Sequence, residues 1–96
     1  MRNYEIMFII KPTLSEDEVK KQEKELASII TNNGGKLTKQ ESLGQKELAY
    51  EIKDFKSGYY FLYDLEAEDD KAIKEFDRQS RINKNIIRHL ITKIEG

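Results

Sequence analysis

Twice along this chain the apolar residues switch from a two-residue alternation to a helical spacing and back. That order of periodicities limits the folds open to it more than any single motif does. Residues 2–10 alternate: Tyr4, Ile6, Phe8 and Ile10 share one face of a strand, and Asn3, Glu5, Met7 and Ile9 the other. Pro12 ends the run. Ser15-Glu16-Asp17-Glu18 then has the form of a capping box, with Ser15 as the N-cap and Glu18 three residues on. Its three acids suit the positive end of a helix. Val19, Gln22, Leu26, Ile29 and Ile30 follow at helical spacing, and Asn32-Asn33-Gly34-Gly35 stops the helix.

The second half repeats the order. Residues 36–53 predict a long strand with Gly44 marking a bulge, and Leu48, Tyr50 and Ile52 on one face. Asp54-Phe55-Lys56-Ser57-Gly58 reads as a turn, and residues 59–66 as an aromatic strand. Tyr59, Phe61, Tyr63 and Leu65 share the face free of acids and are assigned to the core; Tyr60, Leu62, Asp64 and Glu66 face away. Asp69 and Asp70 open a second helix, with Ile73 and Phe76 inward, and residues 86–94 form a last strand. Both faces of that strand are mixed, so alternation does not orient it. Strand–helix–strand–strand–helix–strand is two split βαβ units. The expected fold is an α+β ferredoxin-like sandwich, a four-stranded antiparallel sheet with both helices on one face, as a single domain over residues 1–96. The right-handed crossover places strands one and three in the centre. Met7, Ile9, Tyr60 and Leu62 then lie on the uncovered face, which is half apolar and a candidate binding surface.

Several function classes fall away on composition. The chain has no cysteine and one histidine, so thiolate metal sites and most nucleophile–base pairings lack their residues. No calcium-loop spacing is present, Gly34-Gly35 follows a helix where a phosphate-cradling loop would precede one, and no cofactor is expected. Small acyl-phosphate hydrolases share this architecture but use an arginine and a glycine in the first strand-to-helix loop; here that loop is KPTLSED, with neither. His89, between Arg88 and Leu90, reads as structural. An enzyme is not expected. No apolar run approaches a membrane span, and the absence of cysteine suits a reducing cytoplasm. The net charge of −1 argues against a general nucleic-acid binder, so a polyanion would have to meet a local patch.

Such a patch exists. From Arg78 to Ile94 there is no acid, while Arg78, Arg81, Lys84, Arg88 and Lys93 are basic; residues 1–77 hold 12 Lys/Arg against 17 Asp/Glu. Arginine leads lysine three to two in this tail and trails it one to eleven before it. Arginine suits bidentate phosphate contacts. A charged edge strand and a helix C-terminus favoured by ~0.3–1 kcal/mol would also explain the composition. Arg2 opens the first strand, the neighbour of the last, and would extend the patch. "KSGYYFLYDL" has some likeness to an aromatic RNA-recognition strand, but outward Tyr59 and Phe61 would bury Asp64 and Glu66, which costs more than two exposed rings.

"MRNYEIMFIIKP", "GQKELAYEIKDFKSGYYFLYDLE" and "RINKNIIRHLI" together resemble the bacterial small-subunit ribosomal protein six family, over essentially the whole chain. Gly44-x-Lys46-x-Leu48-Ala49-Tyr50-x-Ile52-Lys53 is the most specific element. The resemblance implies the same element order and a non-enzymatic ribosomal constituent in the cytoplasm, monomeric off the ribosome. It implies binding to the central domain of small-subunit rRNA on the platform, paired with small-subunit protein eighteen. Matching positions are Arg2, Tyr4, Lys46, Tyr50, Arg81, Asn83 and Arg88. On charge, Arg2, Arg81 and Arg88 are assigned to phosphate, with Lys84, Lys93 and Lys46 as further RNA-binding candidates. Met7, Tyr50, Tyr60 and Leu62 are the partner-binding candidates, with core packing the alternative for Tyr50, and the edge of the second strand is a further docking possibility. Many relatives carry a tail beyond the last strand, and this sequence ends at Gly96. The rival reading is a regulatory or protein–protein module of the same fold without RNA binding; the missing glycine in KPTLSED disfavours it.

Overall fold

A computed structural model describes residues 1–94. The elements are β1 (Arg2–Ile10), α1 (Glu16–Asn32), β2 (Lys36–Ile52), β3 (Phe55–Ala67), α2 (Lys71–Ile82) and β4 (Ile86–Ile94). The strands form one antiparallel sheet in the order β2-β3-β1-β4. This is the ferredoxin-like sandwich that the periodicities require, with β1 and β3 central.

The capping box forms as read. The Ser15 hydroxyl accepts from the Glu18 amide at 3.3 Å, and the Glu18 carboxylate accepts from the Ser15 amide at 3.2 Å. At the far end of α1, Gly34 takes a left-handed conformation (φ 87). Val19, Leu26 and Ile30 of α1 and Ala72 and Phe76 of α2 bury against Tyr4, Ile6, Phe8 and Ile10 of β1 and Phe61, Tyr63 and Leu65 of β3. At the centre, Phe8 stacks on Phe61 with centroids 5.1 Å apart and meets Tyr63 edge-on at 5.0 Å. The acid-free face of β3 is therefore the core face, and Asp64 and Glu66 lie opposite it.

Two expectations need correction. The turn after β2 is not Asp54–Gly58 but two residues, Lys53 and Asp54, both at positive φ (49 and 69). Ile52 pairs with Phe55 across it, so β3 starts four residues earlier than its aromatic run suggests. Two left-handed residues give the hairpin twist that suits flanking strands, and Asp tolerates that conformation. Gly58, which resembled a turn glycine, lies inside β3. A Cβ there would stand 2.4 Å from Ile9 Cγ2 and 3.0 Å from the Ile10 carbonyl oxygen. The glycine marks a close approach, not a reversal. Gly44, at φ 80, does sit at the expected bulge, where the β2–β3 register shifts.

β4 can now be oriented. Phe8 pairs with His89 and Ile6 with Ile91, which puts those residues on the helix side; Arg88, Leu90 and Thr92 face away. The register shifts between Ile9 and Ile10, so Ile87 is an extra residue, and Ile86 and Ile87 are both buried. A bulge breaks strict alternation, which is why the sequence of this strand looks mixed on both faces.

Candidate binding face and its charged surround

The helices leave one face of the sheet open. Its composition follows from the register, because directly paired residues share a face. One row across the sheet is Glu41, Leu62, Met7 and Leu90. The row beside it, toward the end of β1, is Gly44, Tyr60, Ile9 and Arg88. Leu90 is 53% exposed, while Met7, Tyr60 and Leu62 are half-buried.

Beyond Tyr59, β2 and β3 run on as an arm with no β1 partner. Residues 48–51 leave the ladder after Glu47 pairs with Ser57, and pairing resumes at Ile52 with Phe55. The loosened stretch meets the open face. A small cleft of about 160 Å³ is walled by Met7, Ile9 and Tyr60 from the sheet and by Leu48, Ala49, Tyr50 and Ile52 from the arm, together with Arg88. Tyr50 is 81% exposed, so it is not a core residue. Met7, Tyr50 and Tyr60 thus converge on one cleft, and Leu62 stands in the neighbouring row. Ile9, read as part of the uncovered face, is covered after all: it is 2% exposed, beneath Gly58 and the arm.

The basic residues do not form a single patch. Arg88 is on the open face and exposed. Arg81 lies on α2, on the other side of the sheet, with Nε 3.0 Å from Asp77 Oδ2. Lys84 is exposed in the turn between α2 and β4. These three flank the start of the β4 edge from both sides. Arg2 and Lys93 are at the other end of the sheet, since β1 and β4 are antiparallel and Asn3 pairs with Ile94. Seven residues of strand, about 23 Å, separate Arg2 from Ile9, the partner of Arg88. Tyr4 above all, then Asp70 and Asp69, hold the Arg2 guanidinium in its charged form and raise its pKa. Lys46 pairs with Gly58 on the arm.

His89 is a structural residue. Its Nε2 donates to Asp77 Oδ1 at 2.7 Å, and its ring meets Phe76 edge-on at 6.4 Å. The bond from His89 and then the charge of Arg81 hold the Asp77 carboxyl below its usual range. Asp77 thereby ties β4 to the middle of α2. Arg78 is bonded to Glu75, one turn back on the same helix. Part of the basic tail is therefore matched by acids that precede it in sequence. Asn83 fixes the turn into β4. Its Oδ1 accepts from the Asn85 amide at 2.9 Å, and its Nδ2 donates to Gln22 of α1 at 2.9 Å.

Sequence reasoning missed Leu90 and the arm residues Leu48, Ala49 and Ile52. Parity within β4 would have found Leu90 had the bulge been placed. A larger groove of about 560 Å³ runs along α1 and β2, lined by Lys20, Glu23, Lys24 and Thr31 among others. Among the described residues no cluster of three metal-ligating side chains occurs, and no helix is long and apolar enough to cross a membrane.

The chain matches, over residues 3–93, a family model described as Ribosomal protein S6. Among solved structures it is similar to the 30S ribosomal protein S6 of Thermotoga maritima. The identity is 32%, the match covers 97% of this chain and 87% of that one, and the TM-score is 0.93.

Proposed function

We propose that this chain, which belongs to the ribosomal protein S6 family and so is a constituent of the small ribosomal subunit, works there as a two-sided adaptor without catalysis. On the open sheet face it docks small-subunit protein eighteen, through Met7, Tyr50, Tyr60 and Leu62. Around the β4 edge it lays Arg88, Arg81 and Lys84 against the phosphates of the central-domain rRNA, with Lys46 on the arm and Arg2 and Lys93 at the far end as outlying contacts.

One observation carries this reading. The cleft between sheet and arm places an exposed tyrosine, an apolar floor and Arg88 side by side on a face that no helix covers. An apolar centre with aromatic and arginine neighbours is what a protein interface concentrates. Arg88 belongs to this face and to the β4 edge alike, so partner and RNA would meet along it. The charge balance explains why a partner is needed. Two or three phosphate contacts on a chain of net charge −1 give weak RNA binding by themselves.

The test is binding of the purified chain to a central-domain rRNA fragment, with and without protein eighteen, at two salt concentrations. Tight binding only with the partner, weakened by salt and by Arg88→Ala or Arg81→Ala, supports the reading. Removing one phosphate-binding arginine should flatten the log–log salt slope by about 0.7–0.9. Partner-dependent binding indifferent to those arginines would reduce the basic tail to a charged edge. Partner binding that survives replacement of both Tyr60 and Leu62 by serine would move the docking face elsewhere. No RNA binding in either setting, with a stable homodimer in solution, would favour a regulatory module of the same fold.

A further inference from the structure

The open face changes character along its strands. Next to the apolar row of Leu62, Met7 and Leu90, on the side away from Arg88, comes a row of Lys39, Asp64, Glu5 and Thr92. Glu5 and Asp64 stand directly opposite each other on the two central strands. Like charges in that relation repel. Their surroundings do not neutralise them. On β4, Thr92 faces Glu5. On β2, Lys39 faces Asp64, but its ammonium is bonded to Glu41 at 3.1 Å. Along β1, Glu5 is flanked by Asn3 and Met7; along β3, Asp64 is flanked by Leu62 and Glu66. Asp64 Oδ1 is shielded from solvent and accepts no hydrogen bond from any described residue. The Glu5 carboxyl sits above its usual range, chiefly because its protonated form can donate to the neighbouring Asp64, then through loss of solvent and the Asp64 charge, with Lys39 pulling the other way. The free protein therefore keeps two opposed acids at the border of an open apolar strip.

We propose that Glu5 and Asp64 receive an arginine side chain from an extended basic segment of the docked protein, whose neighbouring apolar side chain lies over Leu62, Met7 and Leu90. This rests on the reading of the open face as a protein-docking surface. The spacing fits. Successive rows are two residues apart, about 7 Å along the strands, which is also the separation of alternate side chains on an extended segment. The partner would thus present an apolar residue and an arginine at positions i and i+2. A guanidinium matches two carboxylates because its donors form a planar fork. RNA is the wrong occupant for this row, since its phosphates would meet Glu5, Asp64 and Glu66. A second copy of the chain is the other arrangement the face permits, because a half-turn would bring its Arg88 onto the same acids.

The test titrates protein eighteen into the full chain and into Glu5→Gln and Leu62→Ser, with calorimetric affinity and thermal midpoint as readouts. Glu5→Gln should bind about tenfold or more weaker. Its thermal midpoint should rise, because a glutamine amide can donate to Asp64 where a second carboxylate repels it. A merely structural role for Glu5 would lower the midpoint instead. Binding to the unaltered chain should weaken as pH falls toward the raised range of Glu5, because the returning proton competes with the guanidinium. Unchanged affinity in Glu5→Gln, with loss in Leu62→Ser, would overturn the role of the acid pair and leave the docking face standing. No binding by the unaltered chain would overturn the docking face and this inference with it. A homodimer of the unaltered chain that Glu5→Gln dissolves would make the second copy the occupant and overturn the proposal.

Discussion

Replacing Gly58 by alanine tests whether the arm's position depends on one close approach. The new Cβ would stand 2.4 Å from Ile9 Cγ2 and 3.0 Å from the Ile10 carbonyl oxygen, with Ile87 Cδ1 at 3.4 Å. Ordinary contacts begin near 3.4 Å, so Ile9 would have to retreat by about 1 Å. Ile9 is buried and β-branched, with few rotamers to retreat into, and the carbonyl belongs to the central strand. Overpacking of this kind costs about 1–3 kcal/mol. The lower chain entropy of unfolded alanine returns about 0.4–1 kcal/mol. The expected net loss is about 1–2 kcal/mol, or roughly 4–16 °C in thermal midpoint for a domain of this size. Urea unfolding followed by circular dichroism gives the free energy, and a heat scan gives the midpoint. The same substitution in an Ile9→Ala background should lose much less, since the nearest clashing atom is gone; the difference is the coupling of the two sites. A Gly58→Ala protein as stable as the parent, or more so, would refute the close-approach argument and return Gly58 to an unconstrained strand position.

Three further predictions concern the scaffold. Ser15→Ala removes the hydroxyl that accepts from the Glu18 amide, leaving the bond from the Ser15 amide to the Glu18 carboxylate, and should cost about 1 kcal/mol in urea unfolding, with α1 otherwise intact. Phe8→Ala removes a fully buried ring that touches Phe61, Tyr63 and Phe76 and should cost about 3–5 kcal/mol, read as a large fall in the urea midpoint. Asp77 has a folded pKa below its unfolded value, so its contribution is present above the unfolded carboxylate range and lost as pH falls through the lowered folded value. Asp77→Asn should therefore flatten the acid limb of the stability–pH curve, and an unchanged limb would show that the bond to His89 carries no weight.

The fold was legible because it rests on alternation and caps, which are local. The alternation of β1, the parity of β3 and the capping box of α1 each point to one burial pattern. What stayed illegible is what depends on departures from alternation. The inserted Ile87 scrambles the faces of β4, so Arg88 and Leu90 could not be assigned to the open face from sequence. The turn at Lys53-Asp54 carries no glycine, and the true close-approach glycine four residues on drew the turn toward itself. The site suffered more than the fold. A run of basic residues close in sequence is distributed around both faces of an edge strand, and its acids, Asp77 and Glu75, precede it by a helical turn. Three of the four partner-binding candidates line one cleft, because strand parity is readable and the bend of the arm only brings them closer.

The sheet order also sets a timetable for synthesis. β1 is made first, yet it lies between β3 and β4, so one of its edges waits for residues 55–67 and the other for residues 86–94. At about 5–20 residues per second, the interval between completing β1 and completing β4 is roughly 4–17 s. Until β3 is made Ile6, Phe8 and Ile10 have no sheet to join, and for the rest of that time β1 keeps one unpaired edge beside a core that β4 has yet to close. Pairing of the first strand with the last is a late, long-range event of the kind that slows folding. A chaperone that engages this nascent chain should therefore hold its first ten residues longest and release them only when β4 has left the ribosome that made it.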